Sequence, residues 1–127
     1  MTIGYFYMVG DIIHEGHLLA LENAKSFCDK LIVGVLTNKA VLEKKPKPII
    51  DFRERLLIVK SLKFVDIVVS QDTYSPMKNV NIIKPDILFE SDSHKESGIN
   101  PYGKVQMMPY FPSQSSTRIK EKIRGKP

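Results

Sequence analysis

The chain has 127 residues, a length that fits one domain, and 19 lysines and arginines against 14 acidic residues give it a formal charge of +5. Hydrophobic residues make up 43% and charged residues 26%, a mix typical of a soluble globular domain, which excludes a disordered or fibrous chain. No run approaches the roughly 20 apolar residues that cross a bilayer, and the N-terminus shows no basic leader before an apolar stretch. We therefore expect a cytoplasmic protein that does not bind membranes, and its single cysteine, Cys28, excludes an intrachain disulfide.

The basic excess favours an anionic partner. The lysines and arginines are scattered along the chain, and no alternation of aromatic and basic residues marks a surface on which bases would stack. We therefore expect no nucleic acid partner and favour a phosphate-bearing small molecule, which would use the same charge in a smaller space.

Apolar runs alternate with helical patterns along the whole chain. Five short runs rich in β-branched or aromatic residues predict strands, at residues 3–9, 30–37, 65–70, 86–89 and 103–108. Apolar residues at helical spacing predict helices over 15–28, 51–62 and 77–83, a short turn after 38, and a final helix after 117. This alternation predicts an α/β fold, a Rossmann-like open parallel sheet of about five strands with helices on both faces, in a single domain over residues 1–127.

Ligands of such sheets bind at the carboxyl ends of the strands, near the point where the winding reverses. Residues 8–17, which follow the first strand, include His14 and His17 on either side of Gly16. A glycine at a helix start lets a phosphate approach the backbone, and the free N–H groups there add positive potential. This pattern predicts an anion site. The alternatives are two surface histidines near a helix cap, or a metal pair, for which no cysteine or acidic cluster completes a ligand set.

Two further segments place phosphate-binding chemistry after other strands. Lys44, Lys45 and Lys47 lie in a proline-containing loop after the second strand, and hydroxyls cluster at residues 115–117 where the final helix begins. Each feature alone is compatible with a solvated charge run or an ordinary helix cap. Together with the histidines, they put three anion-binding elements at one predicted edge of the sheet.

These residues resemble the cytidylyltransferase-like nucleotidyltransferase family over nearly the whole chain. His14-Glu15-Gly16-His17 matches the H-x-G-H motif that the family carries after its first strand, and Asp11 stands at the family's acidic position three residues before the first histidine. Residues 115–117 match the motif at the family's last helix. The layout is most similar to the glycerol-3-phosphate cytidylyltransferase branch.

The resemblance implies transfer of a nucleotidyl group from CTP to a phosphorylated alcohol, with release of pyrophosphate and no covalent enzyme intermediate. It implies a homodimer, and Mg²⁺ carried with the nucleoside triphosphate. It assigns catalytic roles to His14, His17 and Lys44. It also implies nucleotide-binding roles for Val9, Gly10, Asp11, Gly16, Lys47, Lys63, Tyr110, Ser115, Ser116 and Thr117.

Two alternatives stay open. The segment Lys-Pro-Lys-Pro-Ile-Ile at 45–50 and the tail at 115–120 also resemble the ATP-dependent adenylyltransferase branches, whose acceptors include FMN and the sugar phosphates of lipopolysaccharide core. The other alternative is a non-catalytic nucleotide-binding module, because Ser93 and Tyr110 depart from residues that the glycerol-phosphate branch uses to read its substrates. We favour CTP on the length of the chain and the loop lysines.

Overall fold

Five parallel strands form one sheet in the computed structural model, which describes residues 1–91 and 99–109. The strands are β1 (Ile3–Met8), β2 (Lys30–Leu36), β3 (Ile67–Gln71), β4 (Ile87–Glu90) and β5 (Lys104–Met107). Their order is β3-β2-β1-β4-β5, so the winding reverses between β1 and β4. The predicted Rossmann-like open sheet is confirmed.

Four helices in the described ranges connect these strands. They are α1 (Glu15–Lys25), α2 (Asn38–Leu42), α3 (Phe52–Lys60) and α4 (Met77–Ile83). None of them is long and apolar enough to cross a membrane.

Side chains alternate across β1 and join helices on both faces of the sheet. On one face, Met8 belongs to a buried cluster with Leu21 of α1 and Val59 of α3. On the other face, Tyr5 packs with Val80 of α4. Strands covered on both faces read as nearly continuous apolar runs, which is why the first two strands were evident from the sequence.

The strand register brings the ends of the central strands to one edge. Met8 of β1 pairs with Val35 of β2, and Phe6 of β1 pairs with Phe89 of β4. Because all these strands run in the same direction, the segments after β1, β2 and β4 leave the sheet beside one another.

Three predicted boundaries were wrong by two or three residues, and one of them is the end of α3, at Lys60 rather than at residue 62. Helix α1 ends at Lys25 rather than at residue 28, because the Phe27 and Cys28 amides bond only three residues back and tighten the chain into a turn. Strand β3 begins at Ile67 rather than at residue 65. Just before it, the carboxylate of Asp66 accepts from Lys25 Nζ at 2.7 Å and so ties α1 to this edge of the sheet.

A buried hydrogen-bond network fixes the connection from β3 to α4. The Tyr5 hydroxyl donates to Gln71 Oε1 at 2.6 Å and accepts from Asn79 Nδ2 at 2.9 Å. A Cβ atom at position 34 of β2 would lie 1.9 Å from the Tyr5 hydroxyl, so only Gly34 leaves room for the tyrosine.

Candidate functional site

The chain leaves β1 through two residues with left-handed backbones. Gly10 has φ of +73° and is buried, and a Cβ there would also lie 3.2 Å from a methyl group of Val59. Ile12 has φ of +57°, a conformation that a β-branched residue rarely adopts. This turn connects the end of β1 to the start of α1.

His14 and His17 cap the start of α1 through each other. His14 is the N-cap residue in extended conformation, and its Nδ1 accepts from the Gly16 amide at 3.0 Å. In return, Nδ1 of His17 accepts from the His14 amide at 3.2 Å. The two imidazole rings lie with their centroids 4.1 Å apart. The pair therefore satisfies two backbone donors that a helix start leaves without intrahelical partners.

These hydrogen bonds determine which ring nitrogen of each imidazole carries the proton. Because Nδ1 is the acceptor in both rings, each neutral ring has its proton on Nε2. Burial lowers the pKa of His17 to about 4, with His14 adding to the effect, and burial also lowers the pKa of His14. At neutral pH both histidines are thus neutral N–H donors at the positive end of an 11-residue helix. This arrangement suits the stabilisation of negative charge on phosphate oxygens.

Asp11 joins two loops, the histidine loop, which we define as residues 9–14 between β1 and α1, and the lysine loop, residues 43–50 between α2 and α3. Its buried carboxylate accepts from the backbone amides of Ile49 at 3.0 Å and Ile50 at 2.9 Å. Lys44 and Lys47 are exposed on that loop. The structure therefore brings the predicted lysines to the same edge of the sheet as the histidines.

Arg55 is a site residue that the sequence interpretation missed. It is fully buried on α3, and its Nη1 donates to the carbonyls of Val9 at 2.5 Å and Leu36 at 2.7 Å. Its Nε donates to the Ile50 carbonyl at 3.0 Å, and its Nη2 donates to Asn38 Oδ1 at 2.7 Å. Arg55 lies one turn before buried Val59 on the same face of α3, and an arginine on an apolar helical face was the signal that could have revealed it.

Tyr7 and Glu90 lie at the ends of β1 and β4, where the winding reverses, and were also not predicted. Glu90 is 2% exposed. Burial raises the pKa of Tyr7, and a hydrogen bond and the charge of Glu90 raise it further. Both polar side chains lie beside the switch point of the sheet, where ligands of this fold bind.

Lys63 is not brought to the histidines. It lies between α3 and β3, and a helix that connects two parallel strands must return the chain to the opposite edge of the sheet. There its Nζ lies 5.5 Å from the centre of the Phe64 ring. The proposed phosphate-binding role of Lys63 thus finds no support in its position.

The other predicted nucleotide-binding residues divide into two groups. Val9 lies in the histidine loop, and Gly16 is the second residue of α1. Tyr110, Ser115, Ser116 and Thr117 fall outside the described residues. Over residues 1–91 and 99–109, no group of three or more His, Cys, Asp or Glu side chains is placed to hold a metal ion.

The open parallel sheet, with the histidine-capped helix at its switch point, defines a Rossmann-like α/β protein. The chain belongs to the cytidylyltransferase-like family, whose model matches residues 5–122.

Similar proteins include the bifunctional protein HldE of Granulibacter bethesdensis, which is 32% identical over 97% of this chain and 27% of its own length. HldE of Campylobacter jejuni is 33% identical over 91% of this chain and 26% of its own length. The chain therefore spans about a quarter of the length of these relatives.

Solved structures agree on the fold. The lipopolysaccharide core biosynthesis protein of Thermoplasma volcanium superposes with a TM-score of 0.79 at 27% identity, covering 87% of this chain and 98% of that one. Pantoate-beta-alanine ligase of Francisella tularensis superposes with a TM-score of 0.61 at 19% identity, covering 94% of this chain and 65% of the ligase, a likeness of fold alone.

Proposed function

We propose that the protein transfers an adenylyl group from ATP to a sugar phosphate and releases pyrophosphate. The observation that carries the proposal is the reciprocal cap of His14 and His17, which presents two neutral N–H donors at a helix start beside the lysine loop. Such a set of donors is suited to a triphosphate rather than to a single charge.

Two observations favour ATP and a sugar phosphate over CTP and another alcohol. The similar proteins include HldE proteins and a lipopolysaccharide core biosynthesis protein. In addition, residues 45–50 resemble the adenylyltransferase branch that activates sugar phosphates for lipopolysaccharide core. These observations replace the preference for CTP that followed from the chain length and the loop lysines.

The proposed reaction needs no covalent enzyme intermediate. An oxygen of the acceptor phosphate attacks the α-phosphorus of ATP, the bond from that phosphorus to the bridging oxygen breaks, and pyrophosphate leaves with the bonding electrons. Nε2–H of His14 and of His17 donates to the triphosphate oxygens on which negative charge develops. Lys44 and Lys47 supply positive charge to the phosphates of ATP or of the acceptor. Rate then comes from alignment and from charge stabilisation, as in other phosphoryl transfers.

The nucleotide enters as its Mg²⁺ complex in this proposal. Mg²⁺ keeps several waters and binds through substrate phosphates, so the ion travels with the triphosphate as part of the substrate. We further propose that the reaction takes place in the cytoplasm and that the protein is a homodimer, as the family resemblance implies. Sedimentation equilibrium at micromolar concentration tests the homodimer, and a monomer mass would contradict it.

CTP with a phosphorylated alcohol is the second candidate. It is favoured by the match of residues 5–122 to a cytidylyltransferase-like family and by the loop lysines shared with the glycerol-3-phosphate branch. A site that hydrogen-bonds one base leaves polar groups unpaired with the other base, so selectivity between ATP and CTP is expected to be sharp.

One assay separates these candidates. The protein is incubated with Mg²⁺ and each of the four nucleoside triphosphates, with a panel of sugar phosphates, glycerol 3-phosphate and FMN, while pyrophosphate is followed. We expect release with ATP and a sugar phosphate, whereas release with CTP and glycerol 3-phosphate would support the second candidate. Triphosphate binding without release in any combination would instead indicate a non-catalytic binding module.

A further inference from the structure

Arg55 makes an unusual set of contacts for a buried side chain. Desolvation of a guanidinium is unfavourable unless its donors are satisfied, and burial lowers the pKa of Arg55, while Asp11 and Asp51 oppose that shift. Its hydrogen bonds reach the end of β1 at Val9, the end of β2 at Leu36, and the end of the lysine loop at Ile50. These three points belong to different segments, and all lie at the edge of the sheet that carries the candidate site.

Asp11 holds the same end of the lysine loop from the other side. Its carboxylate accepts from two consecutive amides, those of Ile49 and Ile50, while the carbonyl of Ile50 accepts from Arg55. Asp11 also lies three residues before His14, so the anchor of the loop and the first imidazole belong to one short segment.

The rest of the lysine loop has little freedom once its end is held. Its near end is fixed by α2, where the Lys44 and Lys45 amides bond to the Val41 carbonyl. Between the two ends, Pro46 and Pro48 fix their own φ angles and restrict the residues that precede them. With residues 49 and 50 also anchored, both ends of the loop are held, and the backbone that carries the lysines has few alternative paths.

We infer that Arg55 and Asp11 are positioning residues that act through the lysine loop, setting the placement of Lys44 and Lys47 relative to the histidine pair. The inference rests on the proposed function, because it assumes that the lysines bind a substrate phosphate. Both side chains are buried, and Asp11 acts through the loop amides instead of through the nucleotide contact that the family resemblance implies. Their contribution is pre-organisation, since a loop that is already ordered loses less freedom when the phosphates bind.

The first test measures the loop without any substrate. Asp11→Asn keeps the shape of the side chain but replaces one carboxylate oxygen by an amide N–H₂ group. One of the two backbone amides then faces a donor and loses its hydrogen bond. In hydrogen exchange of the full chain, we expect the amides of residues 49 and 50 to exchange about tenfold faster or more, with the amides of β1 unchanged. Arg53→Lys, an exposed arginine of the same helix, is the matched control and leaves both regions unchanged. Unchanged exchange at 49 and 50 would overturn the inference.

The second test asks whether the residues act through the lysines. We expect Asp11→Asn and Arg55→Lys each to lower kcat/KM for pyrophosphate release by about tenfold or more, with KM rising. In a protein that already carries Lys44→Ala and Lys47→Ala, Asp11→Asn should lower kcat/KM by no more than about twofold. Equal losses in both backgrounds would show that Asp11 acts by another route and would overturn the inference. If Arg55→Lys does not fold, Asp11→Asn carries the test.

The failure of this inference can be told apart from the failure of the proposed function. If the unmodified protein releases no pyrophosphate, the same set of variants is titrated with inorganic triphosphate in a calorimeter. If Asp11→Asn binds triphosphate more weakly than the unmodified protein, and if this difference disappears in the background without Lys44 and Lys47, the positioning role is supported without any transferase activity. An affinity that Asp11→Asn leaves unchanged overturns that role.

Discussion

The backbone amide of His14 donates to Nδ1 of His17 across 3.2 Å, so each histidine of the pair is held by a hydrogen bond at the ring nitrogen that faces the helix start. This contact links fold and chemistry. It stabilises the first turn of α1, and it leaves Nε2–H of both rings as the group available to a ligand.

Removing the Nε2–H donors should impair turnover while leaving the helix start intact. In His14→Asn and His17→Asn, Oδ1 takes the place of Nδ1 as the acceptor of the capping hydrogen bond, but no donor remains at the Nε2 position. We expect kcat for pyrophosphate release to fall by about 10²-fold to 10³-fold in each variant. Glu22→Gln, on an exposed position of the same helix, is the control. Full turnover in either asparagine variant would contradict the assigned role.

The low pKa of His17 predicts a specific loss of stability in acid. The folded protein holds this pKa at about 4, below the ordinary value of 6.5, so between these values the unfolded chain binds more protons. The free energy of unfolding should therefore fall as the pH decreases from about 6.5 to about 4, with His17 contributing about 3 kcal/mol. Urea unfolding at a series of pH values checks this. His17→Asn should show a shallower pH dependence than the unmodified protein, and the same slope in both would refute the prediction.

The two edges of the sheet give a matched pair of lysine substitutions. Lys44→Ala removes a cation from the loop beside the histidines, and a charge-assisted hydrogen bond to phosphate is worth about 1.5–3 kcal/mol. We expect KM for a phosphorylated substrate to rise by about tenfold or more in this variant. Lys63→Ala, at the opposite edge, should leave both KM and kcat unchanged. Equal effects of the two substitutions would show that the placement of Lys63 is wrong.

The left-handed backbone of Ile12 predicts a stabilising substitution. Asparagine tolerates this conformation, whereas an ordinary L-residue loses about 1–2 kcal/mol in it. Ile12→Asn should raise the free energy of unfolding by about 1 kcal/mol, measured by urea titration at neutral pH. Ile13→Asn is the comparison, because Ile13 packs against the main core and its replacement by a polar side chain should lower stability. A loss of stability in Ile12→Asn would mean that contacts of the isoleucine outweigh the backbone strain.

Much of the fold could be predicted because its signals are local. The apolar runs at β1 and β2 are continuous, and each predicts a strand buried on both faces without reference to the rest of the chain. Helix ends were less certain. Phe27 and Cys28 continue the apolar pattern of α1, and only their three-residue turn bonds show that the helix has already ended.

The candidate site divides in the same way. His14, Gly16 and His17 stand within four residues of one another, so their spacing and the helix that follows were enough to predict an anion site. The role of Lys63 came from the family resemblance alone, and the side of the sheet on which Lys63 lies depends on where α3 ends.

By itself, the sequence determined the open parallel sheet and the segment that carries the histidine pair, because hydrophobic periodicity and the residues of a helix start act over a few positions. Only the tertiary structure decided that Asp11 and Arg55 meet at the end of the lysine loop. Asp11 reaches Ile49 across 38 residues of chain, and Arg55 reaches Ile50, which lies five residues before it. The partners of Asp11 and the Val9 and Leu36 partners of Arg55 are backbone groups, which every residue possesses, so no residue type in the sequence marks them. Such contacts exist only once the sheet has brought the ends of distant strands together.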